Sequence, residues 1–411
     1  MRILCLDHLP QIPLPKDINA YELRMDLINK SLDDIQQWHQ LQHCQSILTY
    51  RHHEPSSPSR LKYFVDLIQK IQPDWIDCEH DVPLAWVQMI KQQYPNLKVI
   101  RSLHTTESIN NIDDWVKQLQ PLADHVKIVL PIQSAYQALN MMLYIKQHSQ
   151  VTILGTGCHG RSLRILGPKW GAFDYLGWHQ SLHSSQLLLQ DRYLNPISTN
   201  TRIRALLGNP AHHSLGPFWH GLHHRLTQQD AIYITLEVSS EYVAQLKPLL
   251  EILGIHQLSI TSPHKQTVAS WCNHQGPINT LAFDGQQWLG TNTDQSALNE
   301  LTQDWPRQRI LILGAGSMAQ LLAHQLKHNH TCFFNYHRED GITQKQLLMG
   351  IPHSNSLNNF DCIINTLPRS VSLDHLSGVI YDVNYHTSGS FGLNLFVIQA
   401  QYQQQFWALW S

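Results

Sequence analysis

Seven short apolar runs, each separated from the next by a longer stretch of helical period, fill the chain from residue 1 to about 190. They are "RILCL", "AYELRMDL", "SILTYR", "WIDCE", "KVIRSLH", "HVKIVLP" and "VTILG", with patterns such as "SRLKYFVDLIQKIQ" between them. Strands a helix apart do not pair as tight hairpins, so they are expected to lie parallel. This many repeats predicts an α/β architecture led by a closed (β/α)8 barrel of the TIM type. Such barrels place their chemistry at the C-terminal ends of the strands, where this chain carries Glu22, Arg24, Arg51, Glu79, His104 and Lys127. Any one of these reads as a solvated strand end, but six on one rim do not.

The rhythm breaks at "RYLNPISTNTR", rich in Pro, Ser, Thr and Asn, which sets a barrel over 1–192 and a linker over 193–202. A second α/β pattern follows over 203–300, and "RILILGAGSMAQLLAHQL" opens a third over 301–411 with a buried strand, a glycine turn and a helix. At 411 residues the chain is too long for one core, and 42% apolar residues supply several. A net charge of -2 without a Lys/Arg run argues against a nucleic-acid partner. No run reaches the roughly 18 apolar residues of a membrane span, and "MRILCLDHLPQIPL" reads as a first strand, not a signal peptide. Seven scattered cysteines without a CxxC fit a reducing cytoplasm. The 27 histidines form no HExxH or similar pair, so no metal is expected. Nothing in the sequence sets an oligomeric state.

Residues 314–319, "GAGSMA", follow a strand and open a helix, the context in which GxGxxA holds a dinucleotide. The cofactor contacts are then Gly314, Ala315, Gly316, Ser317, Met318 and Ala319. The next strand ends in "CFFNYHRED", with Asn335 and Arg338 where NAD binders place an acid, which favours NADP without excluding NAD. Lys265 in "SITSPHKQTV" and Asp294 in "GTNTDQ" suit proton transfer to or from a hydroxyl that becomes a carbonyl, the partner step to hydride transfer. "GNPAHHSLGP", residues 208–217, is open to three readings: a metal site, an activated serine, or a loop that holds a ligand.

In this order and spacing the motifs resemble shikimate dehydrogenase over 203–411: "GNPAHHSLGPFWH", "ITSPHK", "INTL", "GTNTD", "LILGAGSMA", "DCIINTLP" and "GLNLFVIQAQYQQQFWALW". The resemblance implies NADPH-linked reduction of 3-dehydroshikimate to shikimate, with Lys265 and Asp294 as the catalytic pair. It places Ser214, Thr261, Asn279, Tyr385 and Gln399 at the substrate, and Asn365 and Thr366 with the cofactor loop. His212 and His213 then become incidental. The family's second loop serine is here Gly216, so one hydroxyl to the substrate carboxylate is missing, a loss of about 1.5–3 kcal/mol. Restoring it as Gly216→Ser is expected to lower the Michaelis constant.

In the first half, a lysine at the end of the apolar strand "ADHVKIVLP" is expected to have a lowered pKa and a free amine, which makes Lys127 a Schiff-base candidate. His104 would move the proton beside the iminium, and Arg24, Arg51 and Arg164 would clamp a carboxylate and hydroxyls. "YELRMDL", "ILTYRHHE", "SLHTT", "ADHVKI" and "GRSLRILGPKWGA" resemble type I 3-dehydroquinate dehydratase over about residues 1–190. That implies dehydration of 3-dehydroquinate to 3-dehydroshikimate, with Glu22 also at the substrate. Glu54 would orient His104, and Ser184 and Gln186 of the shortened "HSSQ" loop would close the lid. The first product is the second substrate, so the expectation is a bifunctional enzyme. Its rivals are a dehydrogenase with a weakened dehydratase half, and a metabolite sensor without turnover.

Overall fold

The computed structural model describes residues 1–51, 58–109, 111–181, 185–314, 316–335, 351–352, 354, 356–367, 379–384 and 390–410. They form two compact units, Met1–Ile255 and His256–Ser411.

The first unit opens with eight strands: β1 (Arg2–Leu6), β2 (Ala20–Arg24), β3 (Gln45–Thr49), β4 (Trp75–Glu79), β5 (Lys98–His104), β6 (His125–Pro131), β7 (Val151–Thr156) and β8 (Asp174–Gly177). Helices α1 (Leu32–Gln40), α2 (Pro58–Ile71), α3 (Leu84–Gln93), α4 (Ile112–Leu119), α5 (Ala135–Gln147), α6 (Gly160–Leu166) and α7 (Leu189–Leu194) follow β2 to β8 in turn. The strands pair in parallel in the order β7-β6-β5-β4-β3-β2-β1-β8, a curled eight-stranded sheet. The eighth strand, "DYLG", has only four residues, too few to announce themselves by period.

The predicted closure differs in one place. Among the described residues no strand ladder joins β7 to β8. There the Phe173 N–H donates to Thr152 Oγ1 at 2.7 Å, and Arg164 Nε donates to the Gly155 carbonyl at 2.7 Å. Helix α6 lies so close to β7 that a Cβ on Gly155 would come within 2.5 Å of Gly160 Cα. Side chains and close glycine contact therefore seal the seam.

Strand parity sorts the interior. Ile3, Cys5, Ala20, Ile47, Trp75, Ile100, Val129, Leu154 and Tyr175 form one cluster inside the curl, while their neighbours Leu4, Tyr21, Leu48 and Ile76 join Phe64, Leu67 and Val87 under the helices. Arg192 of α7 is buried against Asp174 at the start of β8, with Nε and Nη2 donating to its two carboxylate oxygens at 2.8 and 2.9 Å. Its remaining N–H groups donate to the Arg164, Ile165 and Asn195 carbonyls.

After the curl, β9 (Arg202–Gly208) and β10 (Ala231–Glu237) pair in parallel around α8 (Gly216–Leu226), and α9 (Val243–Leu253) follows. Helix α9 packs against α5 of the curl: Tyr136 and Tyr242 stack at 4.9 Å, and Lys146 Nζ donates to the Ile252 carbonyl at 2.5 Å.

The second unit begins with the antiparallel β11 (Gln257–Ile260), β12 (Thr280–Phe283) and β13 (Trp288–Thr291), then α10 (Thr293–Thr302). A parallel sheet follows in the order β15-β14-β16-β17, built from β14 (Arg309–Leu313), β15 (Thr331–Asn335), β16 (Cys362–Asn365) and β17 (Val379–Asp382), with α11 (Ser317–Leu326) after β14. The last helix, α12 (Ser390–Ala408), returns to β12, where Trp407 Nε1 donates to the Leu281 carbonyl at 3.0 Å. No helix among the described residues is long and apolar enough to cross a membrane.

Arg192→Leu removes the two-point partner of the buried Asp174 carboxylate, leaving Arg2 Nε 4.0 Å away, and should cost about 3–5 kcal/mol. Urea unfolding of the full chain followed by tryptophan fluorescence checks this, and a change below about 1 kcal/mol would mean that Arg2 takes over the pairing.

Candidate active sites

Every second residue of the parallel strands points into the curl, and near its C-terminal rim those positions are polar. Lys127 is not at a strand end as predicted: it is the third residue of the seven in β6, two before Val129 of the interior cluster. At that depth it is 2% exposed, its Nζ ion-paired to Asp77 Oδ2 and 3.4 Å from Glu22 Oε1, with the Tyr175 ring centroid 4.7 Å away. Ser102 Oγ donates to the other Asp77 oxygen at 2.5 Å, and Thr49 Oγ1 donates to Glu22 at 2.8 Å. The expected lowering of the Lys127 pKa is reversed: burial pushes it down, but the Asp77 and Glu22 carboxylates outweigh burial and hold it above its ordinary value. Glu22 is buried too, yet the Lys127, Arg51 and Arg24 charges hold its carboxyl well below the usual range.

One layer nearer the rim, Arg51 Nη2 meets His104 Nε2 at 2.6 Å. His104 Nδ1 lies 3.3 Å from Glu79 Oε1 without the alignment of a hydrogen bond. Burial first, then the Arg51 and Lys127 charges, hold His104 well below its ordinary pKa, so its imidazole is neutral. Arg24 donates from Nε and Nη2 to Asp26 at 3.0 and 2.6 Å, and Arg164 is buried at the seam. Gln186 is buried, whereas Glu54 and Ser184 lie outside the described residues. The carboxylate beside His104 among those described is Glu79, which sequence reasoning placed on the rim but gave no task. Asp77 and Tyr175 it missed.

In the 208–215 loop, Glu237 Oε1 accepts the Ala211 and His212 N–H groups, both at 2.6 Å, and lies 3.0 Å from His212 Nδ1. No group of three or more His, Cys, Asp or Glu suited to a metal occurs among the described residues. Ser214 Oγ accepts the Gly216 N–H at 3.1 Å. A Cβ on Gly216 would stand 3.1 Å from Tyr233 Oη and 3.2 Å from Ser214 Oγ, so a phenol that sequence reasoning missed borders the place of the missing serine.

Within the second unit, Lys265 Nζ donates to Asp294 Oδ2 at 2.6 Å. Asn279 Oδ1 accepts the Thr293 N–H at 2.7 Å, and its Nδ2 donates to Gln399 Oε1 of α12 at 3.4 Å. Thr261 opens the lysine turn, its carbonyl accepting the His264 N–H at 3.0 Å. Tyr385 lies outside the described residues.

The nucleotide loop has the predicted setting. Gly314 follows β14 at φ +111°, where an L side chain is strained and a Cβ would collide with Thr366 Oγ1, itself donating to the Leu313 carbonyl at 2.7 Å. Gly316 caps α11 with open space where a Cβ would be, and Ser317 is the first helical residue. Ala319 is fully buried and Met318 packs on the same core, so both shape the loop from beneath. Asn365 is buried with Oδ1 accepting the Leu367 N–H at 3.0 Å. An open helix N-terminus behind two glycines fits a dinucleotide pyrophosphate. Asn335 closes β15, while Ala315 and Arg338 lie outside the described residues.

Comparison with known proteins matches residues 7–183 to type I 3-dehydroquinase and 206–279 to the shikimate dehydrogenase substrate binding domain. The chain is 27% identical over 402 residues to the shikimate biosynthesis protein AroDE of Chlamydia pneumoniae, covering 89% of this chain and 82% of that one. It is 33% identical over 135 residues to a shikimate dehydrogenase (NADP(+)) of Synechocystis, covering 30% and 47%. The solved dehydroquinate dehydratase and shikimate dehydrogenase from S. pombe AroM aligns over 100% of this chain and 95% of that one, at 16% identity and TM-score 0.40. The chain is a bifunctional protein in which a type I 3-dehydroquinase domain is joined to a shikimate dehydrogenase domain.

Proposed function

We propose that the curl dehydrates 3-dehydroquinate through a Schiff base on Lys127 and that the second half reduces the product, 3-dehydroshikimate, with NADPH. The observation that carries the first reaction is a lone lysine held in the interior by two carboxylates, under a neutral histidine. Lys127 gives up a proton, and its amine attacks the substrate carbonyl. The carbonyl oxygen leaves as water, and the iminium that forms keeps the positive charge beside Asp77 and Glu22. Those carboxylates thus serve the resting ammonium and the iminium alike. His104 takes the proton from the carbon beside the iminium and returns one to the departing hydroxyl. Glu79 lies beside His104 to stabilise its charged form, while Arg24, Arg51 and Arg164 suit the substrate carboxylate and hydroxyls.

For the second reaction, NADPH when bound supplies the hydride. Lys265, held by Asp294, delivers the proton to the carbonyl oxygen as it becomes a hydroxyl. Asn279, Thr261 and Gln399 orient the ring, and Ser214 donates to its carboxylate. Tyr233 supplies the second hydroxyl that Gly216 cannot. Gly314, Gly316 and Ser317 would hold the pyrophosphate.

Purified protein given 3-dehydroquinate and NADPH should release shikimate by way of 3-dehydroshikimate, followed by nicotinamide absorbance and chromatography. Absence of the intermediate would remove the first reaction. Lys127 must be neutral to attack and its pKa is raised, so kcat/KM for dehydration should climb with pH through the neutral range. Asp77→Asn removes a charge that raises this pKa and should move the acid limb about 1–3 pH units lower. An unmoved limb would detach Asp77 from the Lys127 proton.

Gly216→Ser now has a different expectation from that of the sequence: the new Cβ is crowded by Tyr233 and Ser214, at a cost of about 1 kcal/mol. This corresponds to roughly a fivefold higher KM for 3-dehydroshikimate. A lower KM would show that Tyr233 does not fill that role.

A further inference from the structure

Tyr175 puts an aromatic ring against Lys127 and has no task in the reaction as derived above. It stands on β8 inside the curl, 5% exposed, with its ring centroid 4.7 Å from Lys127 Nζ, and it lines the small seam cavity with Arg164, Leu154 and Asp174. A phenylalanine would supply the same ring to the ammonium and the same packing to Ile3, Cys5 and Leu154 of the interior cluster. The hydroxyl is what needs explaining: it is buried and has no hydrogen-bond partner among the described residues. Such groups are rare because burial without a partner is unfavourable.

The surroundings limit what it can meet. Asp77 and Glu22 are already engaged with Lys127 and accept from Ser102 and Thr49. Burial first, then the Glu22 and Asp77 charges, keep the phenol protonated, so a neutral O–H donor stands on the ring that lies 4.7 Å from the reacting nitrogen. When the amine adds to a carbonyl, the Nζ–C bond forms and the π electrons of the carbonyl move to its oxygen, which takes up a proton. That oxygen, one atom from the new bond, is the acceptor that substrate brings into this layer. When the C–O bond breaks, the oxygen takes up the second proton, the one the Lys127 ammonium gave up, and departs as water while the nitrogen lone pair completes the C=N bond.

We propose that Tyr175 belongs to the dehydration site, its hydroxyl donating a hydrogen bond to the oxygen of the tetrahedral Lys127 adduct, with the ring backing the ammonium and then the iminium. The proposal rests on the Schiff-base reading of Lys127, and the test separates the two. In rapid-quench experiments with 3-dehydroquinate and borohydride, wild-type protein should gain a covalent adduct on Lys127. Tyr175→Phe should gain it about tenfold more slowly, with a similar fall in kcat for dehydration. Its melting temperature should be unchanged or higher, because an unpartnered buried hydroxyl is gone, and its shikimate dehydrogenase activity should match wild type. No adduct in the wild type would remove the Schiff-base reading and this proposal with it. An adduct forming equally fast in both proteins would overturn the proposal alone. So would a slow variant that also melts lower, since the hydroxyl would then serve packing.

Discussion

Two carboxylates and an ammonium packed into the interior of a parallel sheet constrain everything around them. Lys127, Asp77 and Glu22 are almost wholly removed from water, and any one of them left alone there would be driven to its neutral form. The two carboxylates outweigh burial and raise the Lys127 pKa, Lys127 in turn helps to lower that of Glu22, and the hydroxyls of Thr49 and Ser102 take up carboxylate lone pairs. Burial sets the state of the neighbours and the charges reinforce it: His104 is kept neutral by burial and then by the Arg51 and Lys127 cations, and the Tyr175 phenol is kept protonated by burial and then by the Glu22 and Asp77 anions. A strand array that stays apolar toward its helices can carry this charge only on its inward parity, and so the register of β2, β4 and β6 has little freedom to slip.

That parity is also why part of the site was hidden in the sequence. Arg24, Arg51 and His104 were legible because each follows an apolar run and so marks its end. Asp77, in the middle of "WIDCE", and Tyr175, in the four-residue "DYLG", were not. Parallel strands buried on both faces show no alternation from which an inward position can be read. Lys127 was found, but its depth was not, and its proton affinity followed from partners that lie 50 and 105 residues away in the chain. Glu79 was counted among the rim residues, yet its place beside His104 depends on how two strands curl together.

The reductive half was legible for another reason. Glycine loops encode backbone geometry directly, so "GAGSMA" announced a strand, a turn and a helix, all present in the described residues around β14 and α11. Pairs such as Asn279 with Gln399, 120 residues apart, carry no local signal and came only through resemblance. Tyr233 shows the limit of reading by resemblance. An absent serine looked like a lost contact, whereas a phenol on β10 borders the same place.

The contact between α5 and α9 bears on how this chain can be divided. Composition puts the seam between the halves at 193–202, the obvious place to cut for separate expression. Packing continues past it: Tyr136 stacks on Tyr242, and Lys146 caps the C-terminal end of α9 at Ile252. A fragment ended in the linker would leave the half-buried Tyr136 ring of α5 without its stacking partner and Lys146 without the carbonyl it donates to. What travels with the curl as a piece of structure therefore includes β9, α8, β10 and α9, and with them the loop that carries Ser214. The joint that looks covalent and flexible in the sequence is bridged by side chains, so the first compact unit carries more of the chain than the curl alone.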